Sequence, residues 1–124
     1  MREPATVLWG LSISDADFKK LKAGFRSSDM NDKWNILAMD QSQSDNIPIH
    51  FSRSWTGIEH HILYIKPSDG GSSSGAKIEA ITWEQRRNGI HILEEYAKKE
   101  AVILARVKLD CDFEALPIYH PSDL

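Results

Sequence analysis

The chain has 124 residues, 41% of them hydrophobic and 27% charged, with four tryptophans; that content supports one domain with a sizeable core and excludes a disordered segment. A net charge of -3 gives no general attraction for phosphate backbones, so no nucleic-acid partner is expected. The single cysteine, Cys111, excludes an internal disulfide and a cysteine zinc site; with no apolar run near the ~18 residues of a membrane span, the expectation is a soluble, cytoplasmic protein with no membrane association.

Ala5 to Leu11 is a short apolar stretch that reads as an edge strand or a docking arm. Ser14 then offers a hydroxyl N-cap, Asp15 and Asp17 place acids in the first turn, and Phe18, Leu21 and Phe25 recur on one face. This pattern predicts an amphipathic helix over residues 15 to 26. Lys33 to Met39 is a strand, separated by the polar run Asp40 to Asn46 from a second strand, Ile47 to Trp55.

Thr56-Gly57 reads as a tight turn into a third strand, Ile58 to Lys66, because glycine accepts positive φ without steric cost. Residues 68 to 75, rich in Gly and Ser, have the composition of a flexible loop, and Ala76 to Trp83 follows as a strand. Ile90 to Val107 places Leu93, Tyr96, Ala97, Glu100, Ala101 and Leu104 on one helical stripe, with Glu100 as its one charge. Residues 108 to 124, containing Pro117 and Pro121, read as an extended tail along the surface. The whole, 1 to 124, is expected to be one α+β domain: a mainly antiparallel sheet of four to five strands, an N-terminal helix, and a long C-terminal helix packed on one face.

No catalytic motif survives inspection. Gly71 to Gly75 matches the pattern of a nucleophile elbow, but a strand follows it where a helix is needed. The same loop lacks the lysine of a phosphate-binding loop, since Ala76 occupies that position. His50, His60, His61, His91 and His120 show no metal-ligand spacing, and His60 and His61 should alternate across a strand. No metal and no cofactor is expected.

The informative stretch is Ile47 to Ile65. A two-residue turn at Thr56-Gly57 would pair Trp55 with Ile58, Arg53 with His60, Phe51 with Ile62 and Ile49 with Tyr64. One face would then be apolar except for Arg53 and His60, and the opposite face would carry Ser52, Ser54, His61, Lys77 and Glu79, interrupted by Leu63 and Ile65. A guanidinium on that apolar face needs an acceptor. Either an internal carboxylate such as Asp32 or Glu59 supplies it, or the face opens and Arg53 takes a ligand anion.

Met30 to Ile36, Ile49 to Gly57 and Ile62 to Tyr64 together resemble a small group of proteins without established activity. That group carries a Met-x-Asp/Glu-Lys-Trp segment and a Phe-x-Arg-Ser-Trp-Thr-Gly hairpin. The resemblance covers roughly residues 25 to 66; the Ser-rich loop and the tail after Val107 fall outside it. Similar segments occur beside ADP-ribosyl hydrolase domains, which implies a ligand or partner role.

The expectation is therefore a non-catalytic module that engages a protein partner, a second copy of itself or a ligand. The alternative is a binder of a small anion, such as a nucleotide or ADP-ribose, at Lys33, Trp34, Arg53, Trp55 and His60. A small hydrolase using His60 or His61 with Glu59 ranks behind both.

Overall fold

Alternating apolar side chains draw five segments of the chain into one antiparallel sheet. The computed structural model describes residues 3–26, 34–38, 47–54, 56–67, 76–87, 89–113 and 116. Their order is β1 (Pro4–Ile13), α1 (Asp15–Ala23), β2 (Trp34–Ala38), β3 (Ile47–Arg53), β4 (Glu59–Pro67), β5 (Ala76–Glu84), β6 (Arg86–Arg87), β7 (Ile90–His91) and α2 (Glu94–Leu109). Strands β2 to β5 form an antiparallel meander, and β1 adds antiparallel to β5, giving the order β1-β5-β4-β3-β2. The α+β architecture is the expected one. Among the described residues no helix is long and apolar enough to cross a membrane.

Both helices contribute to one core. Leu21 of α1 and Ala97, Ala101, Val102, Ala105 and Leu109 of α2 cluster with Ile36, Ile49, Phe51, Leu63, Ile65, Ile78, Ile81 and Trp83 from the sheet. The alanines recur at i, i+4 and i+8 on α2, which lets the helix backbone come close to the strands. Helix α2 begins later than its sequence pattern predicts, because Ile90 and His91 pair with Arg86 and Arg87 in the β6–β7 ladder. Leu93, expected on the buried stripe, is the N-cap instead and is exposed.

Helix α1 ends three residues before its expected limit. Gly24 adopts φ +74, and a Cβ there would lie 2.4 Å from the Ile36 carbonyl oxygen. That close approach lets Phe25 and Ile36 exchange backbone hydrogen bonds of 2.7 Å each, so the chain leaving α1 closes the outer edge of β2.

The hairpin departs from the expected register by one residue. Ile49 pairs with Leu63 and Phe51 with His61, so Leu63, Ile65 and His61 face the core rather than the open side. Period-two alternation sends Ile62 and Tyr64 to the opposite face. Two features combine: a longer turn moves the pairing by two residues, and the extra residue His60, between the Ser52–Glu59 and Phe51–His61 pairs, takes one back. Arg53 N–H donates to Ile58 O at 3.0 Å and Gly57 N–H to Arg53 O at 2.8 Å, making a four-residue loop in place of the two-residue turn.

On the open face Leu8, Ala80, Tyr64 and Pro48 form one cross-strand row. In the next row Thr6 and Thr82 hydroxyls meet at 2.6 Å, and Thr82 reaches Tyr64 Oη at 3.3 Å. Lys77 is exposed, and Ser52, Ser54 and Glu79 are half-buried.

The start of the expected surface tail is part of the core. Lys108 and Leu109 close α2, and Cys111 and Phe113 are buried. Asp17 holds this segment: its two carboxylate oxygens accept from the backbone N–H groups of Asp112 and Phe113, each at 2.8 Å. Lys20 Nζ donates to Asp110 O at 2.7 Å, and Arg106 donates to the carbonyls of Asp112, Phe113 and Leu116. Burial, reinforced by the neighbouring Asp17 carboxylate, pushes the Cys111 thiol up to about 12. The 68–75 loop and residues 117–124 lie outside the described residues.

Candidate functional site

The register fault creates the corner where the candidate residues meet. Ser52 pairs with Glu59 and Phe51 with His61, which leaves His60 as an extra residue in β4. A bulge of this kind breaks the alternation of side chains. His60 and His61 therefore do not part across the sheet as simple alternation predicts. Both rings gather around Trp34, with centroids 5.1 and 6.3 Å from it.

Trp34 opens β2 directly opposite Arg53, the last residue of β3. Cross-strand partners share a face, and the Arg53 guanidinium carbon sits 5.1 Å from the centroid of the Trp34 ring. Trp34 is buried while Arg53 is half-buried at the rim. The contact is a cation–π pairing, which leaves the in-plane N–H donors of the guanidinium available for hydrogen bonds.

The internal carboxylate that might have met Arg53 is engaged elsewhere. Glu59 Oε1 accepts from His50 Nδ1 in a short contact on the other side of the hairpin. None of the ion pairs among the described residues includes Arg53. Lys33, Trp55 and Asp32 lie outside the described residues, so of the expected site Trp34, Arg53 and His60 are brought together here.

Beneath Trp34 the sequence reading missed a polar pair. His61 Nε2 and Glu100 Oε1 are 2.5 Å apart, and the side chains are 0% and 8% exposed. The His61 ring lies nearly parallel to Trp34, at 17°, and meets the edge of Phe51 at 6.1 Å. Its cross-strand neighbour Trp83 donates Nε1–H to the Ile92 carbonyl at 2.8 Å, fixing the chain just before α2. A carboxylate on the buried stripe of α2 thus docks on the sheet through one imidazole. The signal was present in the sequence: Glu100 was the one charge on an apolar stripe, and a buried charge needs a partner.

Chemically, this pair is closed to substrate. His61 is enclosed by Trp34, Phe51 and Glu100, and Glu59, the other carboxylate considered for acid–base work, belongs to His50. The accessible chemistry of the corner is that of Arg53 on an aromatic floor with the half-buried His60 beside it. A separate cleft of about 580 Å³ is lined by Ile90, His91, Ile92, Leu93, Glu95, Tyr96 and Lys99 and shares no residue with the corner.

No protein-family model, curated protein or solved structure matches the chain. That result accords with the resemblance of residues 25 to 66 to a group without established activity.

Proposed function

We propose that this chain is a non-catalytic binding module whose Arg53 corner receives a small anionic ligand. The observation that carries the reading is the half-buried guanidinium of Arg53, laid over Trp34 and paired with no carboxylate among the described residues. Guanidinium presents a fork of N–H donors matched to carboxylate or phosphate, and a bidentate pair of this kind is stronger than a neutral hydrogen bond. An aromatic floor beneath it holds the cation in place and offers a surface for a planar ligand group. A nucleotide or ADP-ribose combines the two parts, a phosphate for Arg53 and a base for the aromatic side. Lys33, next to Trp34 in sequence, would add a second cation.

A thermal-shift series with inorganic phosphate, nucleotides, ADP-ribose and simple carboxylates tests the reading. Ligand at 100 times its Kd stabilises the native state by about 2.7 kcal/mol. For a chain of 124 residues this is a rise of roughly 10 °C in Tm. The rise should vanish in Arg53→Met while that variant keeps the unliganded Tm within a few degrees, since an exposed cation–π contact contributes only about 0.5–1 kcal/mol. An equal shift in Arg53→Met would remove Arg53 from the site, and no shift with any ligand would overturn the reading.

A further inference from the structure

The two edges of the sheet are finished differently. At β2 the segment after α1 exchanges backbone hydrogen bonds with Ile36. At β1 no strand among the described residues lies beyond the edge. An antiparallel edge strand directs half of its N–H and C=O groups outward, where they seek water or another strand.

Exposed edges are commonly protected by lysines, inward charges or shortness. Strand β1 has none of these. It is ten residues long, Pro-Ala-Thr-Val-Leu-Trp-Gly-Leu-Ser-Ile, without a charged side chain. Its irregularity comes late, between Leu8 and Leu11, where Gly10 takes φ +72, so Pro4 to Leu8 is regular strand. Leu8 is 86% exposed, the most exposed large apolar side chain of the described residues.

The core side of the same strand is also unfinished. Leu11 and Ile13 are buried, but Ala5, Val7 and Trp9, which point the same way, are only half-buried. Apolar surface is thus left open on both faces of one uncharged edge, beside backbone groups that have no strand to pair with among the described residues.

We propose that a second copy of this chain docks here, β1 against β1, in antiparallel register. The pairing would join two five-stranded sheets into one continuous sheet across a two-fold axis. An antiparallel strand facing itself is self-complementary. Every outward donor meets an acceptor of the same segment, and because Pro4 to Leu8 is uncharged, no like charges are set opposite one another. Leu8 of each copy comes onto the partner's strand, and the half-exposed Val7 and Trp9 gain a neighbour on the core side. This inference rests on the edge alone and is independent of the Arg53 site.

Sedimentation of the full-length protein over a dilution series, without ligand, is the direct test. The wild type should associate reversibly to a dimer, with amide exchange at residues 5 to 8 slowing as the dimer forms. Leu8→Lys and Leu8→Glu should each weaken association by about tenfold or more. Because Leu8 is largely solvated, both should retain the wild-type circular dichroism. A wild type that stays monomeric with residues 5 to 8 unprotected would overturn the proposal, as would a dimer that neither charge disturbs. Anion binding at Arg53 should persist in Leu8→Lys, which separates a failure here from a failure of that site.

Discussion

The His61–Glu100 pair is the sharpest quantitative handle on how the sheet and α2 are held together. The side chains are 0% and 8% exposed, with 2.5 Å between His61 Nε2 and Glu100 Oε1. Replacing His61 with Phe leaves the Glu100 carboxyl beside Trp34 and Phe51 without its imidazole. At pH 7 it must either stay charged in an apolar site or take up a proton, and breaking a buried pair in this way costs about 3–5 kcal/mol.

Glu100→Leu removes the carboxyl and costs the His61 imidazole one hydrogen bond; about 1–3 kcal/mol is expected. At about 4 °C per kcal/mol for 124 residues, the two single changes lower Tm by roughly 12–20 °C and 4–12 °C. The double variant His61→Phe/Glu100→Leu removes both polar groups and replaces them with apolar ones of similar size. It should recover to within about 1–2 kcal/mol of wild type, giving a coupling of roughly 2–7 kcal/mol. Urea titration with circular dichroism supplies the three values. If the double variant loses the sum of the single losses, the pair does not act as a unit and the account of this junction is wrong.

Three further predictions address the rest of the framework. Asp17→Ala leaves the N–H groups of Asp112 and Phe113 without their acceptors, and urea titration should show a loss of about 3 kcal/mol. Gly24→Ala places a Cβ against the Ile36 carbonyl at a positive φ; a loss of at least about 2 kcal/mol, with faster amide exchange at Phe25 and Ile36, is expected. For Cys111 the folded thiol stands at about 12 against an ordinary 9.0. The unfolded thiol ionises first, so stability is complete below pH 9 and falls by about 1.4 kcal/mol per pH unit above it, until pH 12. Cys111→Ala should flatten that alkaline slope relative to wild type, and the native thiol should resist alkylation at pH 8 until the chain is unfolded.

The strands and helices were legible because each carries its own local signal. Leu21 follows a capped turn, and Ile36, Ile49, Phe51, Ile78 and Ile81 stand in apolar strand runs. The register of β3 and β4 was not legible, for it depends on the loop after Arg53. Thr-Gly permits a two-residue turn, whereas the bonds from Gly57 to Arg53 and from Arg53 to Ile58 build a four-residue one, and the extra residue His60 then leaves the pairing one residue from the expected register. A shift of one residue turns a whole strand over. It exchanged Ile62 and Tyr64 for His61, Leu63 and Ile65 on the core side, and the bulge at His60 kept that second imidazole near Trp34 as well.

Glu100 carries a different lesson about reading a site. As a flaw in an amphipathic stripe it passes for imperfect patterning. Taken as a charge that the helix must bury, it requires a polar partner on the opposing sheet, and a hairpin register that turns His61 inward supplies one here. The same reasoning applied to Arg53 leads outward. Its face ends at the rim, Glu59 is committed to His50, and the guanidinium rests on Trp34 with solvent beside it. One buried charge is answered within the fold. Arg53, half-buried at the end of β3, rests on Trp34 and forms no ion pair among the described residues.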